Sequence, residues 1–221
     1  MVLFFLYPKR NVLVGKIGGF EMVIGVTGGI GCGKSTVSMI LSNKLNAPIL
    51  DADKISHEAF SSNEILLEMC KFLGNDILDE NGNIDRQKVA NIVFLDKEKL
   101  SKLNSIIHPY VMKKIESRIN SLSKRYPYII MDVPLPNADF IKLSDFVITV
   151  WSDLEIRIDR LQKRSNFSRD AIISRIQKQM SQEEYEALAN KIIYNNGSLE
   201  ELENNIKDIK LQLINYQKFI F

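Results

Sequence analysis

One eight-residue stretch limits this chain more than any other: Gly28-Gly29-Ile30-Gly31-Cys32-Gly33-Lys34-Ser35. The apolar run Met22-Val23-Ile24-Gly25-Val26 precedes it, and the helix-compatible Thr36-Val37-Ser38-Met39-Ile40-Leu41 follows. Strand, glycine-rich turn and helix form the context in which G-x-x-x-x-G-K-[ST] is a phosphate-binding P-loop. The glycines let the backbone curl with its N–H groups turned inward, and the helix brings its positive dipole end to the same anion. Lys34 has the length to reach the β and γ phosphates, and the Ser35 hydroxyl suits Mg²⁺. The motif predicts a site for a nucleoside triphosphate made by residues 28–36.

The rest of the chain is read outward from that loop. Ala47-Pro48-Ile49-Leu50 predicts a short buried strand that delivers Asp51-Ala52-Asp53 at its carboxyl end, where open parallel sheets bind ligands. A helix is expected from about Lys54 to Leu73, stopped by Gly74. Asn81-Gly82 marks a turn, and Asp85 caps a short helix through Phe94. Asp96 caps another helix toward Ile107, which His108-Pro109 is expected to break before a further helix to about Lys124. Residues 54–124 thus form a helical insertion too long for a simple crossover. Tyr128–Asp132 and Phe146–Trp151 read as buried strands, the first ending in an acid as Walker-B strands do. Asp153 to Gln179 is helical and basic, interrupted at Ser165–Ser168. Lys191–Tyr194 predicts a last strand, Asn195-Asn196-Gly197 a turn, and Ser198 the cap of a closing helix. The order predicts an α/β P-loop NTPase of the nucleoside-monophosphate-kinase type, with five parallel strands, a helical insertion and a lid. The expected division is a core of residues 22–53, 125–152 and 190–221, an acceptor subdomain of 54–124, and a lid with its following helix at 153–189.

Phosphoryl transfer needs positioning and charge compensation more than covalent chemistry. Lys34, Ser35 and the loop amides supply the triphosphate site. Asp132, or one of Asp51 and Asp53, is placed to hold Mg²⁺ through water. Arg160 and Arg164, in the basic hairpin, are placed where a lid would close over developing charge. Asp53 has two readings: aligner of an acceptor hydroxyl, or N-cap of the helix after it. The basic hairpin has a second reading as a solvated helix face, and His108 as a residue set by the proline beside it. A nucleotide-driven switch is the rival from another class, but the nearest approach to a guanine-reading N-K-x-D, Asn43-Lys44-Leu45-Asn46, lacks the aspartate.

Composition narrows the partners. The 221 residues carry 29 Lys and Arg against 27 Asp and Glu, a net charge of +2, so no nucleic-acid footprint is expected. Cys32 and Cys70 are the two cysteines and form no metal pattern, which suits a reducing cytoplasm; Cys32 fills a permissive position of the loop. Met1–Tyr7 is apolar but too short to span a bilayer, and its basic residues follow the apolar run, unlike those of a signal peptide. With Met22 just before the first core strand, residues 1–21 read as an upstream start or a disordered extension.

These segments together resemble the dephospho-CoA kinase family. The resemblance runs through Val26-Thr27-Gly28-Gly29-Ile30-Gly31-Cys32-Gly33-Lys34-Ser35-Thr36, Leu50-Asp51-Ala52-Asp53 with His57-Glu58, Gly82-Asn83-Ile84-Asp85-Arg86, Val93-Phe94 and Ile106-Ile107-His108-Pro109. It continues through Met131-Asp132-Val133-Pro134-Leu135, Arg160-Leu161-Gln162-Lys163-Arg164, Arg175–Gln179 and Asn195-Asn196-Gly197. It implies transfer of the ATP γ-phosphoryl group to the ribose 3′-hydroxyl of dephospho-CoA with Mg²⁺; the sequence gives no sign of an obligate protein partner. It implies an aligning or base role for Asp53 and triphosphate and metal roles for Lys34 and Ser35. His57, Arg86 and His108 fall on the acceptor side, and Arg160 and Arg164 in the lid near ATP. Two positions depart from the family's usual pattern: Pro136-Asn137 after Leu135, and Tyr194 before Asn-Asn-Gly.

Overall fold

The computed structural model describes residues 22–93 and 96–220, without the side chains of Phe219 and Ile220. Residues 1–21 and Phe94 lie outside the described residues. Five strands form one sheet in the order β2-β3-β1-β4-β5: β1 (Met22–Thr27), β2 (Ile49–Asp51), β3 (Tyr128–Asp132), β4 (Phe146–Trp151) and β5 (Lys191–Tyr194). The pairings β1–β3, β1–β4 and β4–β5 are parallel, with Val26 opposite Asp132 and Thr27 opposite Thr149. The central strands are apolar on both faces, as buried parallel strands must be. Every residue of β1 and β3 is buried.

The chain divides into two compact units. The first ends at Leu50 and resumes at Ile119; the second is Asp51–Arg118. In the first, α1 (Lys34–Leu45) packs Val37 and Leu41 into a core with Ile24, Val26, Ile130, Ile148 and Val150. Beyond the sheet lie α6 (Ala138–Leu143), α7 (Leu154–Arg164), α8 (Arg169–Gln177), α9 (Gln182–Leu188), α10 (Leu199–Ile206) and α11 (Ile209–Ile220). Ser168 caps α8, and Ser198 caps α10 in a reciprocal capping box with Glu201. Serine hydroxyls satisfying helix N–H groups set these starts where the sequence places them.

The second unit holds α2 (Ala52–Ala59), α3 (Asn63–Leu73) and α4 (Arg86–Val93), with most of α5 (Lys97–Leu122). Between α3 and α4, Leu78 bridges Ile84 across the Asn81-Gly82 turn, and the Asp79 carboxylate accepts from the N–H groups of Asn81 and Asn83. Those two bonds hold the Asp79 carboxyl below its usual range.

The structure corrects several expectations. The expected helix 54–73 is two helices, broken over Phe60–Ser62, where Ser61-Ser62-Asn63 offers small polar residues and Ser62 turns extended. The closing helix is also two, α10 and α11. His108-Pro109 does not break its helix: α5 runs from Lys97 to Leu122 with Pro109 inside. Leu103, Ile107, Val111, Ile115 and Ile119 recur every fourth residue and are all buried. Burial at about 1.5–3 kcal/mol for each such side chain outweighs the roughly 3 kcal/mol that an interior proline costs. Asp53 is not the cap of α2 either. Asp51 is: its side chain accepts from Lys54 N–H at 3.1 Å, and Asp53 lies inside the first turn.

Candidate active site

The loop after β1 is shaped by glycines that nothing larger replaces. Gly33, at φ 86°, is the left-handed residue that starts α1, and a Cβ there would lie 2.1 Å from Asn195 Nδ2. Gly28 has φ 150° and passes so close to β4 that a Cβ would lie 2.3 Å from the Val150 carbonyl. No acidic residue stands in the first turn of α1, which leaves its dipole uncancelled.

Around the loop the carbonyls are tied back. The Cys32 carbonyl accepts from Asn195 Nδ2 at 2.9 Å, from Ser152 Oγ at 3.1 Å and from Arg160 at 3.5 Å. Arg160 also donates to Ser152 Oγ at 3.0 Å and to the Asn195 carbonyl at 3.0 Å. Arg160 is thus joined to the phosphate loop through Cys32 and Ser152. Turning carbonyls toward donors in the protein leaves N–H groups as the loop's offering to an anion. Burial pushes the Cys32 thiol above its ordinary range, so it stays protonated at neutral pH.

Lys34, at the start of α1, forms an ion pair with Asp132 at the end of β3. Ser38, one helical turn on, donates to the other Asp132 oxygen at 2.8 Å. Asp132 is buried at 7% exposure, so its charge requires these partners. At the end of β1, Thr27 Oγ1 is buried and has no hydrogen-bond partner among the described residues, which is uncommon for an interior hydroxyl. Ser35 and Thr36 are exposed at the helix start, and Arg164 is exposed at the last turn of α7. Ile30 differs from its neighbours: its N–H donates to Gln179 Oε1 at 2.8 Å and its carbonyl accepts from Arg157 Nε at 2.8 Å.

The second unit carries its own polar cluster. On α2, Asp53 and His57 are four residues apart and both exposed, which sets them on one helix face. His57 Nε2 lies 2.8 Å from Arg86 Nη2. A guanidinium only donates, so Nε2 accepts and the ring carries its proton on Nδ1. The Arg86 guanidinium also lies over the Phe60 ring, 5.7 Å from its centre, and Glu58 pairs with Arg118 at 2.5 Å. His108 is half-buried on α5. The structure therefore joins His57 with Arg86, and Lys34 with Asp132.

Sequence reasoning gave no role to Ser38, Ser152 or Arg157, and read Asn195 only as a turn residue. Ser38 was accessible by rule, since it stands four residues after Lys34. The others act through contacts between distant segments, which no local spacing reveals.

A sequence profile of dephospho-CoA kinases matches residues 22–201. A dephospho-CoA kinase of Fusobacterium nucleatum is 41% identical over 190 residues, covering 84% of this chain and 95% of that protein. One from Aquifex aeolicus is 40% identical over 191 residues, covering 86% and 96%. Among solved structures, dephospho-CoA kinase from Campylobacter jejuni superposes with TM-score 0.60 at 28% identity, covering 87% of this chain and 97% of that one. A shikimate kinase from Acinetobacter baumannii, 16% identical with TM-score 0.50, covers 87% and 94% and shares the fold alone. With the phosphate loop, its lysine–aspartate pair and the arginine tied to it in place, the chain belongs to the dephospho-CoA kinase family.

Proposed function

We infer that the two units divide one reaction between them. The protein is a dephospho-CoA kinase, transferring the ATP γ-phosphoryl group to the ribose 3′-hydroxyl of dephospho-CoA to give coenzyme A and ADP. The observation that carries the assignment of the donor side is the loop itself, with left-handed Gly31 and Gly33 opening α1 and Lys34 held at Asp132. In our reading Gly28–Thr36 cradle the triphosphate. Lys34 leaves Asp132 for the β and γ phosphates, and Arg160 neutralises charge on the transferred group. Arg164 joins it from the lid, which we assign to residues 153–189. Residues 54–124 are the acceptor subdomain, and residues 22–53, 125–152 and 190–221 the core.

The donor set suits Mg²⁺. Ser35 Oγ and the Asp132 carboxylate are hard oxygens. Among the described residues no three His, Cys, Asp or Glu converge as a closed metal cage. Such a set fits an ion that keeps waters and takes phosphate oxygens. When bound, Mg²⁺ would offset negative charge on the phosphates. Among the described residues no helix is long and apolar enough to cross a membrane. We place the reaction in the cytoplasm, with ATP and dephospho-CoA as its only required partners.

On the acceptor side, we assign Asp53 to the alignment of the acceptor hydroxyl, with His57, Arg86 and His108 lining the acceptor site. Because Asp51 caps α2, Asp53 is available for this work without serving the helix. The test is Asp53→Asn. Turnover is expected to fall on the order of 10²–10⁴-fold, with the ATP dissociation constant and the melting temperature unchanged. Turnover within about twofold of the parent, against that range, would remove Asp53 from the reaction.

A further inference from the structure

The backbone groups of Ile30 are held by two side chains from the ends of the basic hairpin. Arg157, in the first turns of α7, donates from Nε to the Ile30 carbonyl at 2.8 Å. Gln179, just beyond α8, accepts from the Ile30 N–H at 2.8 Å through Oε1. Arg157 Nη2 reaches the same Oε1 at 3.3 Å, closing a ring of three bonds. The Ile30 side chain packs against Ile158, Leu161 and Ile172 of the hairpin. Gly29 lies so close that a Cβ there would meet Arg157 Nη2 at 2.5 Å.

Arg157 is 3% exposed. Its guanidinium lies over the Trp151 ring at 5.3 Å from the centre, and it donates to the neutral Ile30 carbonyl and Gln179 oxygen. Among the described residues no carboxylate pairs with it within 4.0 Å. A buried cation normally requires an anion. Here the cation sits against the loop that is built to receive one.

We propose that Arg157 and Gln179 are positioning residues for ATP: they fix the Ile30 peptide so that the loop is preorganised, and Arg157 holds a buried positive charge behind it that the triphosphate compensates. The proposal rests on the kinase reading above and deepens its donor site. The two parts separate by substitution. Gln179→Leu removes the acceptor of the Ile30 N–H and leaves the Arg157 charge. Arg157→Gln keeps a donor for the Ile30 carbonyl and removes the charge. Gln179→Glu keeps the acceptor and sets a carboxylate against Arg157, cancelling that charge in place.

The experiment is calorimetric titration of the full-length protein with ATP and, separately, ADP, followed by steady-state kinetics with dephospho-CoA. Gln179→Leu is expected to weaken ATP and ADP alike by about tenfold, the effect of losing one buried hydrogen bond and its preorganisation. Arg157→Gln and Gln179→Glu are expected to weaken ATP more than ADP, by about threefold in the ratio, since the more charged ligand feels the lost cation more. KM for dephospho-CoA at saturating ATP stays unchanged in all three. Binding of both nucleotides within twofold of the parent in folded Arg157→Gln and Gln179→Glu would overturn the proposal. So would equal increases in the KM of both substrates, the mark of general loosening. Should Gln179→Leu fail to fold, the other two variants decide. Nucleotide binding is read without the acceptor, so a parent that binds ATP but phosphorylates a different acceptor would refute only the acceptor assignment.

Discussion

Replacing Asp132 by Asn tests the pairing of Lys34 beside the phosphate loop. Lys34 and Ser38 both engage this carboxylate. Asn keeps an oxygen for the Ser38 hydroxyl but removes the charge opposite Lys34. Breaking a buried ion pair from one side costs about 3–5 kcal/mol. The side chains of Lys34 and Asp132 keep 15% and 9% exposure, and solvent screening lowers the cost to about 2 kcal/mol. For a chain of this size that corresponds to a fall of about 4–8 °C in melting temperature. In the proposed nucleotide-bound form that cost is smaller, because Lys34 would pair with phosphates there. The variant is therefore expected to bind metal-free ATP more tightly, by up to about 30-fold, the factor equivalent to ~2 kcal/mol. Under the proposed metal role of Asp132, turnover with Mg²⁺ is expected to fall at the same time. Titration calorimetry in EDTA, beside melting curves with and without ATP, reads both effects. Unchanged or weaker metal-free ATP binding would refute the idea that Asp132 holds Lys34 in reserve.

Two further expectations follow from buried acids and from the polar cluster of the second unit. Burial raises the Cys32 thiol above its ordinary 9.0 and pushes the Tyr185 phenol up to about 12. Both acids keep their protons longer in the folded state, so their contribution is full below pH 9 and is lost as pH rises through the raised values. The melting temperature should fall from about pH 9 upward, less steeply in Tyr185→Phe, and an unchanged slope in that variant would refute the assignment. In the proposed acceptor site, Arg86→Ala removes the partner of His57 and the cation over Phe60; it is expected to raise KM for dephospho-CoA about tenfold with KM for ATP unmoved, and the reverse pattern would count against the proposed acceptor role.

Much of the fold was legible because local chemistry specifies it. The P-loop glycines, the apolar β1, β3 and β4, and the caps Asp85, Asp96 and Ser198 act within a few residues of themselves. Errors arose where two local rules competed or a distant contact decided. Asp51 and Asp53 are both good caps by composition, and the extended backbone at Asp51, φ −88° and ψ 107°, gives the role to Asp51. Pro109 obeys a local rule that the buried stripe from Leu103 to Ile119 overrides. The glycine-rich loop and the helix it opens were readable in the sequence, while the groups that hold the loop were not. Ser152, Arg157, Gln179 and Asn195 reach Ile30 or Cys32 across more than a hundred residues of chain. Only the folded sheet, with β4 and β5 beside β1, brings them there.

This chain phosphorylates dephospho-CoA. The most direct measurement is mass-spectrometric product analysis after incubation with Mg-ATP and, in separate reactions, dephospho-CoA, AMP, CMP, adenosine and shikimate. ADP and a product heavier by one phosphoryl group, identical with coenzyme A, are expected from dephospho-CoA alone. Phosphorylation of another acceptor in its place, or ATP hydrolysis with none, would contradict that activity.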